Sequence, residues 1–145
     1  MADVNVADYQ TIGPAFTYAQ ELVRVEYDFA NDAGAAADDY MLWEAGADLV
    51  IHNFWAKGIT ELDSATDTAT IDLGTDGVAE AILLDDVAEA TFAADAIVKP
   101  TIVEGAPNVM PMPLKIASGG KIRMKIANED LTSGKCEFCF LVSKM

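Results

Sequence analysis

Residues 68–94 read TATIDLGTDGVAEAILLDDVAEATFAA, and this stretch changes character twice. It begins as a strand: Ala69, Ile71 and Leu73 alternate with Thr70 and Asp72, the period of two that sends successive side chains to opposite faces. Gly74-Thr75-Asp76-Gly77 interrupts it, two glycines supplying backbone angles that other residues avoid. Residues 79–84 fit a strand or a helix. Asp85-Asp86 followed by Val87, Ala88, Ala90 and Thr91 reads as a short helix with acids near its N-terminus, where the helix dipole favours them. Ile82, Leu83, Val87 and Phe92 would then face a core, and the helix would cover an open sheet end.

Working outward, strands dominate. In residues 22–29, Val23, Val25, Tyr27 and Phe29 face one side and Arg24, Glu26 and Asp28 the other. Residues 31–39 read as a loop and residues 40–43 as a short strand. Gly46 separates that strand from residues 48–55, where Leu49, Val50 and Ile51 build another and Phe54 and Trp55 end it in bulk that must pack or meet a partner. Residues 59–62 extend or return it before a polar turn at 63–67. Toward the C-terminus, residues 96–98 and 101–103 have β character. The three prolines Pro107, Pro111 and Pro113 make residues 105–113 a connector, with Val109, Met110 and Met112 available for contact. Residues 114–117, 120–128 and 136–142 read as three strands, the first two joined into a hairpin by Ser118-Gly119-Gly120. Seven to nine short strands without a βα alternation predict a mainly β fold: an antiparallel β-sandwich, jelly-roll-like, with one short helix. Residues 1–20 show no clear period. They form an N-terminal arm carrying Tyr9, Ile12, Phe16 and Tyr18, or an edge segment, beside a single β-sandwich domain at 21–145.

The net charge of −15 is lopsided. Residues 1–98 hold 20 acidic side chains against Arg24 and Lys57, while residues 99–145 hold 7 basic against 4 acidic, so the halves carry −18 and +3. Such a field repels nucleic acid and suits solubility at high local concentration. The basic-leaning half could also meet an acidic neighbour, including a second copy. No apolar run approaches the ~20 residues of a membrane span, and the start, MADVNVADYQ, lacks a signal peptide's basic and apolar regions, so synthesis in a cytoplasm is expected.

The candidates for chemistry are weak. Cys136 and Cys139 make C-x-x-C, but inside the strand KCEFCFLV positions i and i+3 point to opposite faces, and zinc would need two more soft ligands. His52 is the one histidine and cannot by itself complete a catalytic triad. The carboxylate pairs Asp38-Asp39, Asp85-Asp86 and Glu129-Asp130 match no calcium loop, and residues 72–76 (DLGTD) are only its nearest miss. Gly74 and Gly77 lack the lysine of a phosphate loop. No catalytic residue, cofactor or metal is therefore expected. Lys121, Arg123 and Lys125 form a basic row opposite Ile122, Met124 and Ile126, either a solvated edge that discourages strand addition or an electrostatic contact with an acidic protomer.

The strand VRVEYDFA, the segment ATIDLGTDGVAEAIL and the ending KCEFCFLVSKM together resemble the head decoration, or capsid cement, proteins of tailed bacteriophages. The resemblance spans most of residues 22–145 and rests on pattern, not on a diagnostic motif. It implies a non-enzymatic virion protein, made in the host cytoplasm, that binds the outer capsid surface. There it would stabilise the shell across major capsid protein subunits, as a dimer or trimer, with no nucleic-acid or membrane partner. Contact candidates are the arm (Tyr9, Ile12, Phe16, Tyr18), the proline connector (Val109, Met110, Met112) and the basic row (Lys121, Arg123, Lys125). Deleting residues 1–18 should then weaken capsid occupancy and leave the fold intact. The competing expectation is a glycan- or receptor-binding module of a phage fibre, with Trp43 or Trp55 stacking on sugar; a redox or hydrolytic enzyme is a third.

Overall fold

The computed structural model describes residues 3–13, 19–75, 83–100 and 113–145. The described residues form ten strands: β1 (Asp3–Ile12), β2 (Gln20–Asp28), β3 (Asp39–Ala45), β4 (Leu49–Ser64), β5 (Thr70–Thr75), β6 (Leu84–Ala88), β7 (Ile97–Val98), β8 (Leu114–Ile116), β9 (Lys121–Ala127) and β10 (Leu131–Lys144). One sheet has the order β1-β3-β9-β5-β6 and the other β2-β10-β4-β7, with β8 also paired to β4. The expected β-sandwich is what forms. All the sheet pairings are antiparallel except β1 with β3, which run parallel.

The alternations read from the sequence become the two inner faces. Val23, Val25 and Tyr27 from β2, Ile71 and Leu73 from β5, and Ile122, Met124 and Ile126 from β9 are all buried in one core. Phe54 packs on Phe138 and Phe140 within the second sheet, and Phe140 meets Trp43 of the first, which stands edge-on to it at 5.4 Å between ring centroids. Aromatic pairs in this geometry add to the hydrophobic gain from burial.

Several boundaries differ from the expectation, each for a physical reason. Residues 48–55 and 59–62 belong to one strand of 16 residues, β4, because the 14-residue β10 pairs with it almost throughout. Register shifts along that pairing let Ile51 and Phe54, an odd and an even position, both face the core. Gly134 is one of the irregular points: its φ is +118°, and a Cβ there would lie 2.6 Å from the Glu61 carbonyl oxygen. The helix expected after Asp85-Asp86 is instead strand β6 followed by a single 3-10 turn, Glu89–Phe92. Pairing with β5 outweighs the weak helical signal of a five-residue segment. Leu83 and Phe92 do face the core, Val87 packs at its edge, and Ile82 lies outside the described residues. The short α-helix among the described residues, α1, is Phe29–Asp32, inside the stretch read as the end of a strand and a loop.

The hairpin expected between residues 114–117 and 120–128 does not exist. β8 pairs with β4 in one sheet and β9 pairs with β3 and β5 in the other, so Ser118-Gly119-Gly120 carries the chain between sheets. The turn is held by Gly119 N–H donating to the Ala45 carbonyl at 2.7 Å and Ser118 N–H to Asp48 Oδ1 at 2.9 Å.

Residues 3–12, left open between an arm and an edge segment, are strand β1 at the rim of the first sheet, with Val6 and Ile12 buried in the core. Deletion of residues 1–18 would therefore remove core side chains, and the expectation that it leaves the fold intact is corrected. β1 also covers the rim of β2 with side chains. Asp8 Oδ2 accepts from Glu26 N–H at 2.9 Å, and Gln10 Nε2 donates to the Arg24 carbonyl at 3.2 Å. Buried Asp32 joins the seam, taking the Ala7 N–H on one oxygen at 2.6 Å and the Asp28 N–H on the other at 2.9 Å. An edge whose backbone groups are met in this way does not template further strands.

Candidate functional site

Lys121, Arg123 and Lys125 point away from the core, as the alternation requires, but not from an edge. Their strand β9 is the middle one of five. Facing positions on both neighbours are acidic: Glu44 and Asp39 on β3 lie opposite Lys121 and Lys125, and Asp72 on β5 lies opposite Lys125. Arg123 binds the buried Asp39 through Nη1 to Oδ2 at 2.5 Å. The reading of this row as a solvated edge is thus overturned; it is a half-buried, internally compensated stripe.

Of the other contact candidates, Tyr9 is half-buried and donates its hydroxyl to Glu44 Oε2 at 2.9 Å, and Ile12 is buried in the core. Phe16, Tyr18, Val109, Met110 and Met112 lie outside the described residues. Among the five described candidates, Ile12 is buried and cannot join an exposed patch with the others. Exposed large apolar side chains occur elsewhere, at Leu22, Ile59, Ile97 and Met145.

Cys136 and Cys139 are unbonded, and their side chains lie on opposite faces of β10, Cys136 in the core. Burial pushes both thiols up, Cys139 to about 11 with help from the neighbouring Glu137. Neither is a thiolate near neutral pH, so neither is an activated nucleophile. His52 Nε2 lies 2.7 Å from Ser143 Oγ, a contact between strands β4 and β10.

The acidic groups are arranged in ways that the sequence did not disclose. Asp72 lies with Asp85 and Asp86, accepts the Asp86 N–H at 2.7 Å, and has its carboxyl pushed up, first by burial and then by its two acidic neighbours. A second group, Asp63, Asp67 and Glu89, gathers at the end of β4, in the turn that follows, and on the 3-10 turn. The same turn is held from the far side by Glu129. Its carboxylate accepts Thr66 N–H at 3.0 Å and Oγ1–H at 2.9 Å, and Thr68 N–H at 3.3 Å and Oγ1–H at 3.0 Å. The Ser64 hydroxyl, with these donors, pulls the Glu129 carboxyl down to about 2 from its ordinary 4.5.

Because that folded value lies below the unfolded one, the stabilisation by Glu129 is complete above about pH 4.5 and disappears as pH falls toward about 2. Glu129→Gln should therefore lower the melting temperature at pH 7, and the gap from the parent should close steadily between pH 4.5 and 2 in a series of calorimetric scans. A gap that stays constant with pH would show that the charge is not what holds the turn.

No family model matches the chain, and no curated protein matches it. Solved structures do. A chain in the capsid of Ralstonia phage GP4 superposes with a TM-score of 0.71 at 17% identity, over 99% of both chains. A chain in the capsid asymmetric unit of cyanophage Pam1 superposes with a TM-score of 0.61 at 15% identity, over 92% of both. This sandwich, from end to end, is a fold found in the capsids of two phages.

Proposed function

We propose that this protein is a non-enzymatic phage virion component that binds the outer capsid surface and stabilises it across major capsid protein subunits. The observation that carries the reading is the superposition on two phage-capsid chains over 99% and 92% of both partners. A match over the whole length means that the entire domain, and not a grafted module, has its counterpart in a capsid. The charge agrees. With −15 overall, copies held close together on a shell face water with a repulsive, soluble surface. In this reading residues 21–145 act as one sandwich, residues 1–20 as its edge segment, and dimers or trimers multiply weak contacts across symmetric positions.

The test is co-sedimentation of the purified chain with phage particles lacking it, with the copy number counted per capsid. Saturation at a whole number per capsomer is expected, and absence of binding over a range of salt would overturn the reading. Two variants locate the contact. Lys121→Glu should weaken occupancy about tenfold at low salt if the basic row meets an acidic capsid subunit. Phe16→Ser with Tyr18→Ser tests the N-terminal segment without removing β1.

One observation favours the glycan-binding alternative. Half-exposed Trp55 lines an open groove of about 450 Å³ with Asn53, Ile97, Lys99 and Pro100. Trp43, by contrast, is 0% exposed and cannot stack on a sugar. Hits on a glycan array that are lost in Trp55→Ala would favour this reading over capsid binding.

A further inference from the structure

Three carboxylates far apart in sequence converge at one end of the sandwich. Asp63 closes β4, Asp67 sits in the turn with φ of 57°, and Glu89 opens the 3-10 turn, whose N–H is anchored to the Ala69 carbonyl at 3.1 Å. One oxygen from each lies within 4.8 Å of the others. Asp63 and Asp67 are open to water, but Glu89 is only 2% exposed, and its Oε2 has no hydrogen-bond partner. Among the described residues none of the three makes an ion pair. Ser64 reaches Glu89 through its hydroxyl and its backbone N–H, but that hydroxyl also reaches Glu129 and has one proton to give, and neither donor serves Oε2.

A buried carboxylate oxygen with nothing to accept from, beside two further negative groups, is an arrangement that folding resists unless positive charge enters it. The donor set is all oxygen and all anionic. It lacks the nitrogen or sulfur that selects zinc or copper, and it suits a hard cation held at 2.3–2.6 Å by six to eight oxygens. Two exposed aspartates leave room for waters to complete such a shell.

We propose that Asp63, Asp67 and Glu89 form a Ca2+ site that ties the end of β4 and its turn to the 3-10 segment. The site is independent of capsid binding. It explains why a glutamate occupies a buried position, 2% exposed, otherwise suited to an apolar residue. It also pins together the two sheets, since β4 belongs to one and the 3-10 turn follows directly on β6 of the other.

The test uses the full chain, stripped with EDTA and titrated with CaCl2 by calorimetry and in thermal melts. One saturable ion per chain is expected, with a melting temperature raised by about 5 °C at saturating millimolar Ca2+. Glu89→Gln keeps the shape and removes the charge. It should weaken Ca2+ binding at least tenfold and abolish the thermal shift, while matching or exceeding the stability of the parent in EDTA. A merely structural glutamate would instead lose stability in EDTA on becoming glutamine. Asp85→Asn with Asp86→Asn, in the other acidic group, should leave the titration unchanged. No saturable binding by the parent up to about 10 mM, or equal binding by Glu89→Gln, overturns the proposal and makes Glu89 a buried carboxyl that holds its own proton.

Discussion

Arg123→Met is expected to destabilise the fold by about 3–5 kcal/mol, read as a lower urea midpoint with an unchanged slope. Asp39, its partner, is 0% exposed at the start of β3, and the guanidinium of Arg123 is itself largely covered. Taking away the guanidinium removes the 2.5 Å pair from a carboxylate that is fully buried, so its dehydration is less well offset, although Lys125, on the same strand as Arg123, lies opposite it. The methionine keeps most of the side-chain volume, so a cavity does not account for the loss. Asp39→Asn added to Arg123→Met should recover much of the stability, because the buried carboxylate that the guanidinium offset is then gone, and this coupling distinguishes a charge effect from lost packing. A single-variant loss below about 1 kcal/mol would place the pair among ordinary surface ion pairs.

Trp43→Ala should cost about as much, 3–5 kcal/mol by the usual scale for a large buried aromatic, and the chemistry is the opposite. Trp43 is 0% exposed and stands edge-on to Phe140 at 5.4 Å. Phe140 lies 5.1 Å from Phe54, Phe54 stacks on Phe138 at 6.4 Å, and Phe138 meets Phe92 at 6.5 Å. The indole is thus the one member that the first sheet contributes to a chain of rings across the core, and truncating it opens a cavity there. Its Nε1 finds no hydrogen-bond partner among the described residues, so Trp43→Phe should be much milder: it gives up area but also removes an unmet buried donor. Comparing the two by urea unfolding separates ring packing from the polar edge. Equal losses would show that the indole N–H is satisfied in solution. Trp43 lies opposite Ile122, next to Arg123, so the two predictions must be tested in separate chains, since neighbouring sites do not add.

These two residues show where reading the sequence succeeds and where it stops. That Ile122, Met124 and Ile126 point inward and Arg123 outward is legible, because a strand alternates whatever it pairs with. That Arg123 neutralises Asp39, 84 positions away, is not legible, because it follows from β9 lying between β3 and β5. The same limit explains the misplaced helix. Residues 84–92 carry a weak local preference, and pairing with β5, a contact outside that window, decides the outcome. The expected hairpin at residues 114–128 failed similarly: a short turn fixes that two strands are close in sequence, not that they share a sheet. The acidic group has no local signature at all, since Asp63 and Asp67 stand more than twenty residues before Glu89.

By itself, then, the amino-acid sequence determined the β class, the inward and outward faces of β2, β5 and β9, the lopsided charge, and the inertness of two cysteines spaced to opposite faces. All of these depend on the period of a strand or on composition, which are local quantities. The tertiary structure alone decided strand order, the central place of the basic row, the parallel docking of β1, and the meeting of Asp63, Asp67 and Glu89. Those depend on which strands bury their apolar faces against each other across dozens of residues, and burial against a distant partner leaves no mark in any short window of sequence.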